Sequence, residues 1–313
     1  MDPDDPLSAL EVGDVPDPTV PEGWTLVSVR AASLNHHDVW SLKGVGLPEE
    51  RLPMVLGCDA AGVDQDGNEV IVHALIGNPD WRGDEALDPK RTILSEFHPG
   101  TLAEKIAVPR HNLVPKPASL SFEEAACLPT AYLTAYRMLF TRSELRPGQT
   151  VLVQGAAGGV ASASIALARA GGMRVWATSR DERKRAFAKE LGAHEAFESG
   201  ARLPDRVDAV IETVGEATWA HSLRALKPGG RIVVAGATSG FQPPADLSRI
   251  FFRQLEVVGS TMGTREELKQ LIALLESTGM RPRIDRTLPL ADAAAGVGAM
   301  IDGDVFGKIV LLP

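Results

Sequence analysis

One stretch of the sequence limits the possible folds more than any other: an apolar run that leads directly into a cluster of glycines. Residues 151–172 read VLVQGAAGGVASASIALARAGG, so small residues separate a strand-like run from a run of helical character. Such a turn lets the backbone approach a pyrophosphate, and the following helix offers free N–H groups and the positive end of its dipole. The stretch therefore predicts a dinucleotide-binding turn.

The glycine pattern of this turn departs from the strict G-x-G-x-x-G arrangement. Ala156 stands in the position of the first glycine and Ala161 in that of the third. A glycine cluster alone is also found in ordinary tight turns, but the strand before it and the helix after it supply the context of a dinucleotide site. The predicted cofactor-binding residues of the turn are Gly155, Ala156, Gly158, Gly159 and Val160.

The pattern of a short apolar strand, a turn and a helix repeats between residues 150 and 260. Short apolar strands that alternate with helices indicate a parallel sheet covered on both faces. The fold class is therefore predicted to be α/β, with a Rossmann doubly wound parallel sheet. We assign the dinucleotide-binding domain to residues 121–264, where Ser121 and Glu124 form a capping-box signature at its start.

The residues before position 120 show a different pattern, in which short β-type segments are separated by Gly, Pro and Asp. They predict a small, mostly β domain over residues 1–120, completed by residues 265–313, which end in the strand-like segment GKIVLLP. Residues 77–100 have no clear period and predict a loop. The predicted strands of this domain are residues 24–32, 54–63, 68–75 and 103–109.

Composition excludes several classes of partner. The chain has 313 residues and a formal net charge of -9, and such an acidic surface disfavours nucleic acid and anionic membranes as partners. Only two cysteines occur, Cys58 and Cys127, which argues against a disulfide framework and favours a reducing compartment. No secretory signal and no apolar run of about 20 residues is present. We expect a cytoplasmic protein with a small-molecule substrate.

The residues after the second predicted strand of the α/β domain bear on the choice of cofactor. An Asp or Glu that holds the ribose hydroxyls of NAD is common at this strand end, where this chain has Ser179 and Arg180, followed by Lys184. A hydroxyl and cations suit a 2′-phosphate, which favours NADPH over NADH. The alternative is a solvated helix start of mixed charge, since Asp181 and Glu182 come next.

Two later strand ends add candidates for the same site. Ligands of open α/β sheets bind beyond the carboxyl ends of the strands, although tight strand–helix turns occupy the same positions in the absence of a ligand. The candidates at these ends are Thr213, Val214, Ala235, Gly236 and Ala237.

At this point the sequence resembles the medium-chain dehydrogenase/reductase superfamily, and most closely its quinone oxidoreductase-like members and those labelled zinc-binding dehydrogenase. The resemblance implies a GroES-like catalytic domain built from both ends of the chain, an active-site cleft between the domains, and a homodimer or homotetramer. It also implies one further strand before the first one seen here. The motifs that carry the resemblance include AASLNHHDVW (31–40), PMVLGCDAAGV (53–63), VLVQGAAGGVA (151–161), LKPGGRIVVAGATSG (226–240) and FGKIVLLP (306–313).

The resemblance assigns roles to individual positions. Gly158 and Gly159 match the pyrophosphate turn of the family, and Lys184 matches a lysine that binds the 2′-phosphate in NADPH-using members. Asn35 and Thr134 match residues at the nicotinamide end of the site. Residues that match the ribose and carboxamide wall are Thr213, Val214, Ala235, Gly236 and Ala237.

The positions of the zinc ligands depart from the zinc-dependent members of the superfamily. They read Asn35, Cys58 and about Thr130 here, and one thiolate without partners cannot complete a tetrahedral zinc site. The four cysteines of a structural zinc lobe are also missing from residues 77–100. We therefore predict no metal. A different metal held by His36, His37, Cys58 and Asp59 is the alternative, although adjacent histidines on a strand would face opposite ways.

Without zinc, hydrogen-bond donors have to hold the charge that develops on a carbonyl oxygen during hydride transfer. The predicted catalytic donors are Asn35 and Tyr132. The predicted function is that of a zinc-independent, NADPH-dependent oxidoreductase that reduces quinones or α,β-unsaturated carbonyl compounds. Two alternatives stay open: an alcohol dehydrogenase or carbonyl reductase of the same fold, and a non-catalytic NADP(H)-binding protein.

Overall fold

The computed structural model describes all 313 residues, and the chain divides into two compact units. Unit 1 comprises Met1–Ala131 and Gly263–Pro313, and unit 2 comprises Tyr132–Met262. Residues 121–131 and 263–264, which were predicted to belong to the dinucleotide-binding domain, therefore lie in unit 1. No helix is long and apolar enough to cross a membrane.

The two units together contain fifteen β-strands. The strands in chain order are β1 (Trp24–Ser33), β2 (Asp59–Asp64), β3 (Glu69–Val72), β4 (Leu75–Ile76), β5 (Thr92–Ile93), β6 (Lys105–Pro109), β7 (Leu113–Pro115), β8 (Thr150–Gln154), β9 (Arg174–Thr178), β10 (Glu195–Phe197), β11 (Val207–Glu212), β12 (Leu226–Val234), β13 (Glu256–Gly259), β14 (Ile284–Pro289) and β15 (Lys308–Leu312).

The two units together contain nine α-helices. The α-helices are α1 (His36–Leu42), α2 (Phe122–Ala126), α3 (Leu133–Tyr136), α4 (Gly159–Ala170), α5 (Glu182–Glu190), α6 (Glu216–Ala225), α7 (Leu247–Arg253), α8 (Arg265–Thr278) and α9 (Ala293–Asp302). The π-helical segments are Leu128–Tyr132 and Arg137–Arg142, and the 3-10 turns are Pro6–Ala9, Glu49–Arg51, Glu85–Leu87, Arg110–Asn112 and Leu290–Asp292.

Unit 1 is built on a seven-stranded sheet with the order β14-β15-β1-β2-β3-β7, in which β6 also pairs with β1. All of its pairs are antiparallel except β14 with β15. Apolar side chains of β15, α1 and α9 form a core with Leu34, and this core includes Val297 and Leu311. The mostly β character predicted for this part of the chain is confirmed.

Unit 2 contains a six-stranded parallel sheet with the order β10-β9-β8-β11-β12-β13. Numbered within the unit, this is the 3-2-1-4-5-6 order of a Rossmann fold, and the strand order reverses between β8 and β11. The predicted fold class is confirmed. Ligands of such sheets bind at the carboxyl ends of the strands beside this reversal.

Several element predictions need correction. The segment 54–63 becomes a strand only from Asp59, and His36 and His37 lie in α1 rather than on a strand. Asn35 precedes α1 in an extended conformation, and its backbone N–H donates to Asp38 at 2.8 Å, which begins the helix at this point. The elements α7, α9, β10 and β14 were not predicted from the sequence.

Candidate functional site

The glycine turn lies where β8 ends and α4 begins. Gly155 has a φ of +89°, a conformation that favours glycine, and Gly158 caps α4 without any side chain bonding the free N–H groups. An added Cβ at Gly158 would meet nothing within 4 Å, so the space over the turn is open. Ala156 is buried, whereas Gly158, Gly159 and Val160 are accessible. This helix end fits an anionic group such as a pyrophosphate.

The end of β9 presents the residues predicted to select the cofactor. Ser179 is nearly buried, and Arg180 is exposed, with a guanidinium that makes no hydrogen bond or ion pair. Lys184 lies one turn into α5 and is half-buried. The Asp181 carboxylate caps α5 by accepting from Arg183 N at 2.8 Å, and it also pairs with the Arg183 guanidinium at 3.0 Å. The Asp181 carboxylate is thus already engaged.

The segments after β11 and β12 run beside each other. The backbone N–H of Ala235 donates to Glu212 O at 3.1 Å, and that of Thr238 donates to Thr213 O at 3.3 Å. A Cβ added to Gly236 would lie 3.2 Å from Thr213 O, so the two segments are in close contact. The structure therefore places five predicted residues at the same carboxyl ends of the strands as the glycine turn: Thr213, Val214, Ala235, Gly236 and Ala237.

Two predicted site residues lie in the helical segment before β8. Tyr132 is the last residue of a π-helical segment and is 1% exposed. Thr134 lies in α3, which packs against α4, and it is buried as well. Burial by itself assigns neither residue a contact with a ligand.

Asn35 belongs to a buried polar cluster in unit 1. Its side-chain oxygen accepts from Lys308 Nζ at 2.6 Å, and its Nδ2 donates to Asp59 Oδ2 at 2.8 Å. The Lys308 ammonium also donates to Leu34 O at 2.6 Å and lies 3.3 Å from Asp59 Oδ2. Ser33 Oγ donates to the same carboxylate oxygen at 2.7 Å. A fixed ammonium therefore supplies positive charge beside Asn35.

The other possible metal donors form a chain rather than a coordination shell. His37 Nδ1 lies 3.5 Å from Cys58 Sγ, and its Nε2 lies 2.9 Å from Glu96 Oε1. The two ring nitrogens point to opposite sides of the imidazole, so Cys58 and Glu96 cannot share one ion with it. Burial raises the pKa of the Cys58 thiol, which donates to Leu94 O at 3.3 Å.

The alternative metal site predicted from His36, His37, Cys58 and Asp59 is not assembled. His36 is exposed, and Asp59 binds Lys308. No group of three or more His, Cys, Asp or Glu side chains is arranged to hold a metal ion. The donors present in this region therefore do not fit a tetrahedral zinc site.

Sequence reasoning missed three buried polar residues beneath the dinucleotide site. Gln154, Thr178 and Glu212 are the last residues of β8, β9 and β11, and each is 0% exposed. The available signal was a polar residue at the end of each otherwise apolar run, in VLVQ, VWAT and VIE.

Two family models match the chain. One, described as an alcohol dehydrogenase GroES-like domain, covers residues 21–118, and the other, described as zinc-binding dehydrogenase, covers residues 159–277. An acryloyl-coenzyme A reductase of Metallosphaera sedula is 30% identical over 96% of this chain and 96% of its own length. A quinone oxidoreductase of Mus musculus is 29% identical over 96% of this chain and 92% of its own.

Solved structures agree with these matches. An NAD-dependent alcohol dehydrogenase is 36% identical with a TM-score of 0.92, covering 98% of this chain and 96% of its own. A 2-octenoyl-CoA carboxylase reductase in complex with NADP and 2-octenoyl-CoA is 27% identical with a TM-score of 0.90, covering 98% and 83%. Because these similarities extend over nearly the whole length, the chain belongs to the medium-chain dehydrogenase/reductase superfamily.

Proposed function

We propose that this protein is an NADPH-dependent reductase of α,β-unsaturated carbonyl compounds that acts by hydride transfer without zinc. The observation that carries the proposal is the placement of the accessible glycine turn and the Ser179–Arg180 pair at one edge of a sheet in Rossmann order. An uncapped helix N-terminus and a cation at that edge suit the pyrophosphate and the 2′-phosphate of one dinucleotide.

The preference for NADPH over NADH follows from the state of Asp181. Holding the ribose hydroxyls of NADH would require a carboxylate at this strand end, but Asp181 is used by the α5 cap and by Arg183. The exposed Arg180 guanidinium is available for a phosphate. Cations and a hydroxyl bind a 2′-phosphate through charge-assisted hydrogen bonds.

The names of two relatives support the proposed substrate class. The acryloyl-coenzyme A reductase and the 2-octenoyl-CoA carboxylase reductase are both named for unsaturated thioesters. When bound, NADPH would supply a hydride from its nicotinamide ring. A substrate that takes the hydride at its β-carbon becomes an enolate, and a proton added at the α-carbon completes the saturated product.

The proposal of zinc independence rests on the cluster around Asn35. Lys308 places its ammonium 2.6 Å from the Asn35 oxygen, and the Asp59 carboxylate is bonded to both residues. A zinc ion there would meet a fixed positive charge and would have to displace it. Such displacement costs several kcal/mol, because the ammonium would lose its partners inside the protein.

Asn35 and Tyr132 remain the proposed hydrogen-bond donors to the enolate oxygen. Both side chains must first become accessible to the substrate. The Asn35 amide is bonded to Lys308 and Asp59, and Tyr132 is 1% exposed. Each can act as a donor only after substrate binding has exposed it. We therefore expect Asn35→Ala and Tyr132→Phe to lower kcat more than they raise KM for the substrate.

The test uses NADPH deuterated at the transferable position, with an acyl-CoA enoyl thioester, a simple enone, a quinone and a saturated aldehyde as acceptors. Mass spectrometry of the product from the thioester or the enone is expected to show one deuterium at the β-carbon. Metal analysis of the same preparation is expected to show zinc well below one ion per chain. Turnover of the quinone alone would remove the unsaturated carbonyl from the proposal.

An alcohol dehydrogenase is the second candidate, favoured by the 36% identity with an NAD-dependent alcohol dehydrogenase. It predicts reduction of the saturated aldehyde at its carbonyl carbon and a preference for NADH. Stoichiometric zinc together with that activity would establish it. Cofactor binding without turnover of any acceptor would favour the third reading, a non-catalytic NADP(H)-binding protein.

We also propose that the protein forms a homodimer through α7 and β13. The helix α7 has no buried residue, and Leu247, Phe251 and Phe252 are 70%, 66% and 81% exposed. The strand β13, which follows α7 in the sequence, is an edge strand of the parallel sheet. A second copy would cover both by symmetric pairing of the two edges, because an exposed apolar edge is otherwise prone to aggregation.

A further inference from the structure

Three neighbouring strands of the Rossmann sheet end in buried polar side chains that are bonded to one another. The Thr178 hydroxyl donates to Gln154 Oε1 at 2.6 Å, and Gln154 Nε2 donates to Ser222 Oγ at 2.9 Å. Ser222 Oγ then donates to Glu212 Oε2 at 2.6 Å. The chain of bonds therefore crosses the sheet from β9 through β8 and α6 to β11.

The direction of every hydrogen in this chain is fixed by its neighbours. The second hydrogen of Gln154 Nε2 points to His221 Nδ1 at 3.0 Å, so that nitrogen is an acceptor. The other ring nitrogen of His221, Nε2, then carries the hydrogen and donates to Ala201 O at 2.9 Å. Gln154 thus uses its oxygen and both hydrogens, and rotation of its amide would break all three bonds.

Glu212 is the end point of the chain and holds the loop that follows β11. Its Oε1 accepts from the backbone N–H groups of Val214 at 2.8 Å and Gly215 at 3.1 Å, and from the Thr218 hydroxyl at 2.9 Å. Gly215 has a φ of +88°, which is the conformation that this loop requires to begin α6. The position of Val214 therefore depends on the orientation of the Glu212 carboxylate.

The three members at strand ends, Thr178, Gln154 and Glu212, each directly precede a residue of the proposed cofactor site. Ser179 follows Thr178, Gly155 follows Gln154, and Thr213 follows Glu212. The first position belongs to the proposed 2′-phosphate end, and the last to the proposed nicotinamide end. When one member of a buried network is replaced, its neighbours lose their hydrogen bonds and have no water to bond to instead.

We propose that the Thr178–Gln154–Ser222–Glu212 chain is a positioning device that couples the adenosine end of the dinucleotide site to its nicotinamide end. This inference rests on the proposed function, because it assumes that NADPH binds at this edge. Its members are positioning residues: Thr178, Gln154 and Glu212 act through the residues that follow them, and Ser222 links Gln154 to Glu212. A substitution at one end of this hydrogen-bonded chain should therefore change cofactor binding or reaction at the other end of the site.

In the first arm of the experiment, the substitution alters the hydrogen-bonded chain near β11, and the measurement reports on the cofactor site near β9. Ser222→Ala removes a hydroxyl bonded only to Gln154 and Glu212. The probe is adenosine 2′,5′-bisphosphate, which has the adenosine and the 2′-phosphate but no nicotinamide. We expect Ser222→Ala to raise the Kd of this probe at least fivefold. The conservative Ser222→Thr, which keeps the hydroxyl, should stay within twofold of the unaltered protein.

In the second arm of the experiment, the substitution is made at Thr178, at the opposite end of the hydrogen-bonded chain. Thr178→Val keeps the shape of the side chain and removes its hydroxyl, and Thr178→Ser keeps the hydroxyl. With NADPH at saturation, Thr178→Val should lower kcat at least fivefold and shift the emission of the bound nicotinamide, whereas Thr178→Ser should restore both. Saturation removes any effect of weaker binding, so a change in kcat reports the nicotinamide end.

Matched controls come from buried hydroxyls outside the chain. Ser164 in α4 and Thr25 in β1 are both 0% exposed, and neither hydroxyl has a hydrogen-bond partner. Ser164→Ala and Thr25→Val remove the same atoms at comparable burial. Both should leave the Kd of the probe and kcat within twofold, which separates coupling from a general loss of packing.

The outcomes distinguish the inference from the proposed function. If the unaltered protein binds neither NADPH nor the bisphosphate, the proposed function fails. If it binds both, but Ser222→Ala leaves the bisphosphate Kd unchanged and Thr178→Val leaves kcat and emission unchanged, the coupling is overturned and the cofactor site stands. If one of the two variants does not fold, the other arm decides the question by the same criterion.

Discussion

The ammonium of Lys308 lies 2.6 Å from the side-chain oxygen of Asn35, although the two residues are 273 positions apart in the chain. Lys308 is 2% exposed and Asp59 is 0% exposed, so the ion pair between them is shielded from water. This contact gives Asn35 a fixed partner and gives the proposed zinc-independent site a permanent cation. It also ties the last strand of unit 1 to the segment that precedes α1.

Replacing Lys308 by methionine should destabilise the protein strongly. The variant leaves the Asp59 carboxylate buried without its cation, which costs about 3–5 kcal/mol. Urea denaturation followed by circular dichroism measures the loss. The matched control is Lys227→Met, which breaks the pair with Asp208 at a site where the lysine is 42% exposed. That pair should contribute less than about 1 kcal/mol, and equal losses in both variants would contradict this account of Lys308.

The preference for NADPH should depend on Arg180. Arg180→Ser removes the exposed guanidinium at the end of β9 and is expected to raise the KM for NADPH at least fivefold, with the KM for NADH unchanged. The effect should shrink at high salt, because exposed charges are screened. Lys189→Ser removes an exposed cation near the far end of α5 and serves as the control. Equal changes for both cofactors would rule out a contact with the 2′-phosphate.

Stability should fall in mildly acidic solution because of His221. Burial lowers the pKa of His221 below its usual 6.5, with Arg224 acting in the same direction and the bond to Ala201 opposing it. The unfolded chain therefore takes up a proton at a higher pH than the folded chain does. The contribution of neutral His221 to the free energy of unfolding is complete above pH 6.5 and is lost as the pH falls below that value.

The variant His221→Gln isolates this contribution from those of the other histidines. Between pH 6.5 and 5.5 its free energy of unfolding should fall less steeply than that of the unaltered protein. The difference in slope is at most about 1.4 kcal/mol per pH unit for one proton. Parallel curves for the two proteins would show that His221 is not buried in its neutral form.

The proposed dimer makes a prediction about mass in solution. Phe252→Glu places a charge on the 81% exposed position of α7 and should convert a dimer to a monomer in light scattering after gel filtration. Leu87→Glu changes a residue of unit 1 that is 63% exposed and should leave the mass unaltered. A monomeric unaltered protein, or a dimer that survives Phe252→Glu, would exclude α7 as the interface.

Much of the fold follows from local pattern. The run VLVQGAAGGV places a strand end, a turn and a helix start in one short stretch, and the structure has β8, Gly155 and α4 there. Ser121 with Glu124 and Thr264 with Glu267 mark the starts of α2 and α8 through capping boxes. These features are local because the atoms that form them are only three residues apart.

What the sequence did not reveal depends on distant partners or on assembly. The engagement of Asn35 requires Lys308, and the bond from Gln154 to Ser222 joins positions 68 apart. The helix α7 was missed because its apolar residues are exposed and therefore follow no core-facing pattern. The helix α1 was not predicted, because the residues before it are strand-like as far as Ser33.

The most direct test of the central claim is a titration of chelator-treated, metal-analysed protein with NADPH and with NADH, followed by nicotinamide fluorescence. An enoyl thioester is then added, and the absorbance of the reduced cofactor is recorded. We predict tighter binding of NADPH than of NADH and oxidation of bound NADPH in the absence of zinc. Loss of turnover on chelation that zinc restores, or tighter binding of NADH, would contradict the account.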